Sequence, residues 1–293
     1  MELPLVVGVD GSEPSLRAVD WATQEAALHG VPLRLVYASL WERYEGPALA
    51  PGLAGSAEQV GADDIVHAAA RRARRRDTDV KISTEVLPEE PVVALLREGR
   101  NASALVLGSR GRGGMAELLL GSVALAAAAR ADCPVIVLRD DHDVRAVTGS
   151  GRRVVLGVGA EPRESAVVRF AFQEARQRRV PLEAVRAWRR PAHESPGHPL
   201  LTGDPAHSQE RAASQTLDAA LRDTAADHPG VQLHRRTAEG SARQVLLDAS
   251  ATADLLVVGA ERRHGHTGLQ LGRVTHAVLH HSRCPVAVVP HQA

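Results

Sequence analysis

Gly108-Ser109-Arg110-Gly111, followed nine residues later by Gly121-Ser122, is the stretch of this 293-residue chain whose residue types and spacing could most readily do chemistry. Glycine lets the backbone approach an anion closely and adopt positive φ. A helix that starts at such a stretch adds unpaired N–H groups and the positive end of its dipole. The chemistry this points to is phosphate binding. Arg110 and Arg112 flank Gly111; guanidinium groups suit bidentate phosphate contact, and both also fit as solvated loop charges. Asp10 ends the apolar run that begins at Leu5, and Gly11-Ser12 turn the chain after it. A carboxylate there can accept a hydrogen bond from a ribose hydroxyl or an adenine amine, or it can cap the next helix, which Ser12 could do instead. No Gly-x4-Gly-Lys-Ser/Thr run occurs, so a Walker-type lysine and metal-binding hydroxyl do not hold the phosphates. No base stands beside the glycines to activate water, and the expectation is binding without efficient turnover.

These residues need elements to position them. Ala104-Leu105-Val106-Leu107 reads as a buried strand, which puts Gly108 at its carboxyl end, where open parallel sheets bind ligands. Apolar runs alternate with helical patterns, the signature of βαβ units. Strands are expected near 4–9, 33–38, 80–86, 104–108 and 134–138. The first helix runs from a cap at Ser12 or Glu13 to His29, with Pro14 in its first turn and Gly30 past its end. Further helices are expected over 56–76, 89–100 and 115–130.

The pattern then repeats. Gly8 and Gly157, Gln24-Glu25 and Gln173-Glu174, and Pro32 and Pro181 share one offset; Gly108 and Gly259, Gly121 and Gly272, and Cys133-Pro134 and Cys284-Pro285 share another that is two residues longer. Strands of the second copy are expected near 153–158, 182–187, 231–237, 254–259 and 285–289. The organisation is therefore two domains, 1–140 and 151–293, joined by a charged, small-residue linker from Asp140 to Gly151. The second copy departs from the first at the residues that matter: Gly159 replaces Asp10, Arg262 the second loop glycine, and Arg273 the serine. ATP-type binding is not expected there, although Arg262, Arg263 and Arg273 could hold another anion. His276 and His280 share a helix face, compatible with a metal pair and equally with a polar face in a chain of 14 histidines.

Composition narrows the classes. Thirty-five basic and 35 acidic residues cancel, and aromatics are 2%, so neither a global field nor base-stacking platforms favour nucleic acid. Arg71 to Arg76 reads as the basic, solvated end of a helix. Two cysteines exclude a disulfide framework and fit a cytoplasmic protein. No apolar stretch approaches the roughly 20 residues a bilayer needs. Glu45 to Gly55 and Pro191 to Gly203 read as loops after the second strand of each copy.

VVGVDGS at the start, LVLGSRGRGG, LLLGSV and CPVIVL closely resemble the universal stress protein family, over nearly the whole chain and twice. The resemblance implies an α/β fold of two doubly wound five-stranded parallel sheets, strand order 3-2-1-4-5, Rossmann-like and similar to the adenine nucleotide alpha hydrolases. Gly-x2-Gly-x9-Gly-Ser is the pattern of the family's ATP-binding members. It implies a nucleotide site from Asp10, Gly11, Ser12, Ala38, Gly108, Arg110, Gly111, Arg112, Gly121, Ser122 and Val123. Ala38 would lie against adenine. Gly108 and Gly111 would admit ribose and phosphate, and Gly121, Ser122 and Val123 would present amides to the phosphate chain. The implied cofactor is ATP, alone or with magnesium, with cyclic AMP as a lesser option. Pro134–Leu138 and Pro285–Val289 would pair the copies as an intramolecular pseudo-dimer, with a homodimer and an unknown protein partner also open. The implied role is a nucleotide-responsive stress protein; alternatives are a slow ATPase or self-phosphorylating enzyme, or a nucleotide-free, chaperone-like scaffold.

Overall fold

The computed structural model describes residues 2–40, 57–111, 120–139, 152–159, 165–190, 205–262 and 271–292. The chain divides into two compact units between Thr148 and Gly149. The expected linker, the two loops after the second strands, Arg112 and Arg263 lie outside the described residues.

Unit 1 holds β1 (Leu5–Gly8), α1 (Glu13–His29), β2 (Leu33–Ala38), α2 (Ala57–Arg76), β3 (Ile82–Leu87), α3 (Pro91–Gly99), β4 (Ala104–Gly108), α4 (Ser122–Arg130) and β5 (Val135–Leu138). All of its strand pairs are parallel and their order is β3-β2-β1-β4-β5. Unit 2 holds β6 (Val154–Gly157), α5 (Ser165–Arg178), β7 (Leu182–Trp188), α6 (Pro205–Asp227), β8 (Leu233–Glu239), α7 (Ala242–Ser250), β9 (Leu255–Arg262), α8 (Arg273–His281) and β10 (Val286–Gln292). Its order, β10-β9-β6-β7-β8, is the same arrangement. Each unit is thus a doubly wound parallel sheet with its switch point between the first and fourth strands.

Parallel strands covered on both faces must be apolar, and the inner strands supply this: Val6, Val7, Leu105, Val106 and Ile136 in unit 1, and Val155, Leu156, Leu255 and Leu256 in unit 2, are at most 2% exposed. Each such side chain contributes about 1.5–3 kcal/mol on burial. Helix ends follow the sequence signals. Ser12 Oγ accepts from Ser15 N, and Gly30 takes φ 70° with its N–H directed at the Ala26 and Ala27 carbonyls.

Three expectations need correction. The helix expected from 115 begins at Ser122; Gly121 before it is extended (φ −73°, ψ 153°) because its N–H is drawn to the Ser109 carbonyl at 2.6 Å. Strands β9 and β10 each run three residues beyond the expected ends at 259 and 289, because they pair with one another to Arg262 and Gln292. The basic end of α2 is not simply solvated. Arg72 donates from Nε and Nη2 to Asp20 at 2.9 and 2.6 Å, fixing α2 on α1.

Candidate functional site

At the carboxyl ends of β1, β2 and β4, unit 1 encloses a cavity of about 570 Å³. Of the eleven residues expected from the sequence, Asp10, Ala38, Gly108, Arg110, Gly111, Gly121, Ser122 and Val123 line it. Gly11 and Ser12 do not: Gly11 supplies a left-handed turn at φ 78°, and Ser12 stands behind Asp10. Both shape the site indirectly.

Asp10 does not cap α1, since Ser12 does. Ser12 also donates to Asp10 Oδ1 from its amide at 3.0 Å and its hydroxyl at 2.6 Å, which fixes the carboxylate's rotamer. The other oxygen lies against the phosphate-type loop, where a Cβ on Gly111 would come within 2.5 Å of Asp10 Oδ2. Gly111 is therefore required by the carboxylate beneath it. Gly108 likewise answers to the protein: a Cβ there would meet the Pro14 carbonyl carbon at 2.7 Å and its oxygen at 2.8 Å. Close packing of β4 on the start of α1 is thus one demand on Gly108, which also lines the cavity.

The α4 terminus lacks the side-chain cap that α1, α3 and α7 have: oxygens of Ser12, Glu90 and Ser241 cap those helices, but Gly121 offers α4 none. The first intrahelical acceptor on α4 is the Gly121 carbonyl, taken by Leu125 N. The Gly121 amide is spent on Ser109, correcting the expectation that it serves a ligand. The amides of Ser122 and Val123 belong to the first turn, which has no intrahelical acceptors, and both residues line the cavity.

Strand parity places Ala38. The amides of Leu33 and Ser39 donate to the β3 side, to Lys81 and Leu87, whereas the carbonyls of Pro32 and Val36 accept from Leu5 and Val9 on the β1 side. Even-numbered residues thus face β1, and Ala38 turns its N–H and C=O past the end of β1 into the crevice. An adjacent donor and acceptor can match the polar edge of a planar base. The sequence reading missed the apolar wall beside it: Val36, Tyr37, Leu40, Pro91, Leu95 and Leu107. The available signal was position, since nearly all fall at a strand's carboxyl end or in the helix that follows.

Comparison with known proteins follows from this geometry. The Universal stress protein family profile matches residues 3–139 and again 151–290. The chain belongs to that family. A universal stress protein of Mycobacterium tuberculosis is 32% identical over 289 residues, covering 97% of this chain and 96% of the relative. One from Mycolicibacterium smegmatis is 30% identical over 295 residues, covering 98% and 97%. The crystal structure of a universal stress protein from Archaeoglobus fulgidus superposes with a TM-score of 0.68 at 16% identity, covering 98% of each chain, which bears on the fold alone.

The second universal stress protein repeat keeps the fold and differs at the carboxyl ends of its strands. Arg186, at the position of Tyr37, donates to the Val158 carbonyl at 3.4 Å and to that of Gly159, which stands where unit 1 has Asp10. β9 continues past Gly259 in register with β10, and the His291 ring lies 3.0 Å from where a Gly259 Cβ would be. Gly272 caps α8 without a side-chain bond, as Gly121 caps α4, but Thr275 Oγ1 ties that first turn to the Gly259 carbonyl at 3.1 Å. The His276 and His280 rings stack with centroids 4.4 Å apart. Cys133 and Cys284 are both buried and neither is in a disulfide, and burial pushes the Cys284 thiol up to about 12, away from the nucleophilic thiolate. Among the described residues no helix is long and apolar enough to cross a membrane.

Proposed function

We propose that unit 1 binds one adenine nucleotide, ATP, and that the chain is a nucleotide-responsive regulatory protein without efficient turnover. The observation that carries this is convergence: Asp10, Ala38 and the uncapped first turn of α4 face one cavity of about 570 Å³. The parts fit the ligand's chemistry. Ala38 offers a donor and an acceptor to the base edge beside the apolar wall, and Asp10 accepts from a ribose hydroxyl. The Ser122 and Val123 amides, the Ser122 hydroxyl and Arg110 take the phosphates. ATP would supply the polyanionic tail that these donors answer. The absence of a Walker lysine from the sequence supports binding over hydrolysis. Unit 2, with Arg186 on the carbonyls of its crevice, takes no adenine nucleotide in this reading.

The test is mass spectrometry of small molecules released when purified full-length protein is denatured, followed by competition among ATP, AMP and cyclic AMP for the emptied protein. ATP should be released or preferred. Tighter binding of cyclic AMP would replace ATP as the ligand, and no adenylate binding at all would remove the reading.

A further inference from the structure

Each unit carries a charge cluster centred on its second strand, and the pair formed by the second and third strands is equivalent in the two units with its signs reversed. In unit 1 the Arg34 guanidinium, on β2, lies between two carboxylates: Glu98 of α3 at 2.7 Å and Glu85 of the neighbouring strand β3 at 3.4 Å. In unit 2 the Glu183 carboxylate, on β7, lies between two guanidiniums: Arg153 just before β6 at 2.9 Å and Arg236 of the neighbouring strand β8 at 3.1 Å. The central residues are equivalent, because Arg34 is the second residue of β2 and Glu183 the second of β7. So are the cross-strand partners. Ser83 faces Arg34 and His234 faces Glu183, and Glu85 and Arg236 each lie two residues further along.

At their first residues β3 and β8 are alike; they differ in apolar content only at the carboxyl end, where Val86 and Leu87 of β3 stand against Thr237 and Ala238 of β8. Each ends the strand order of its unit, and Ile82 and Leu233 meet Leu33 and Leu182 at matching registers. Repeats of this kind can trade equivalent elements while folding, within a chain or between chains, and an edge strand is the easiest to trade. We propose that the inverted clusters are a pairing code that keeps β3 beside β2 and β8 beside β7. With β8 on β2, Arg34 would face Arg236; with β3 on β7, Glu183 would face Glu85. Each wrong pairing sets like charges across adjacent strands, the repulsive element that discrimination needs. The two correct pairings set opposite charges there.

The code can be erased without removing an ion pair. Arg153→Glu/Glu183→Arg/Arg236→Glu gives unit 2 the polarity of unit 1, so correct pairings stay attractive and wrong ones become attractive too. The full chain and this variant are refolded from urea over a range of chain concentrations at low salt, and the native monomer is separated from misassembled species by size exclusion. The misassembled fraction should rise about fivefold. Inverting unit 1 as well, with Arg34→Glu/Glu85→Arg/Glu98→Arg added, restores the difference and should return the yield to that of the parent. A triple variant that refolds as well as the parent overturns the proposal. So does a six-fold variant no better than the triple, because the loss would then be local damage.

Discussion

The tips of β4 and β9 begin alike and end differently. Gly108 pairs with Leu138, and Gly259 with Val289. After Gly108 the ladder makes one more bond, Ser109 N to the Leu138 carbonyl, and the chain then leaves the sheet to pass over Asp10. After Gly259 it continues as strand through three further pairs. Backbone donors and acceptors spent on a ladder cannot serve a ligand. On the proposed reading, unit 2 would keep the fold and forgo the site simply because two strands go on pairing and Arg186 holds the Gly159 carbonyl.

That contrast can be broken where the loop meets Asp10. Gly111→Val drives a side chain into the carboxylate and should cost about a hundredfold in nucleotide affinity, roughly 2.7 kcal/mol, while circular dichroism stays unchanged. Unaltered affinity would show that the loop's approach to Asp10 does not matter. Asp10→Ala should cost about tenfold, as expected for a lost hydrogen bond to a charged group. The reciprocal Gly159→Asp should add no second binding event in a titration, since Arg186 already holds that carbonyl. Ser12→Ala removes both the α1 cap and the hydroxyl that helps orient Asp10, leaving the backbone amide in place. It should lower unit 1 stability by about 1 kcal/mol in urea denaturation and weaken binding less than Asp10→Ala does.

The smallest effect concerns unit 2 alone. Asp254 is buried just before β9, held by Arg152 Nε at 3.3 Å, and its Oδ1 has no hydrogen-bond partner among the described residues. Burial raises its pKa above the ordinary 3.8, against the opposing pull of Arg152. The folded state thus holds this proton more tightly than the unfolded state, and the stabilisation it brings is lost as pH rises from about 3.8 through the raised value. Asp254→Asn should flatten that slope and raise the melting temperature slightly at pH 7. An unchanged slope would assign it to other groups.

Much of this was legible in the sequence because glycines, caps and apolar runs act locally. Ser12, Pro14 and Gly30 bound α1 by short-range chemistry, and the repeat offsets aligned the two sheets. Strand order came from the family resemblance, since periodicity does not say which strand lies beside which. Illegible were features set by contacts distant in sequence: Pro14 against Gly108, Asp10 beneath Gly111, Arg186 across Gly159, and the wall built by Tyr37 and Leu95. Gly121 shows the limit most clearly. The sequence reading runs the helix from 115 through this residue, and only the fold reveals that the helix starts after it and that its amide belongs to Ser109.

Isothermal titration of nucleotide-free, full-length protein with ATP addresses the central claim most directly. One equivalent per chain, abolished by Gly111→Val, is the result expected if the β4 tip binds and the β9 tip does not. Two equivalents, none, or a single one indifferent to that substitution would contradict it.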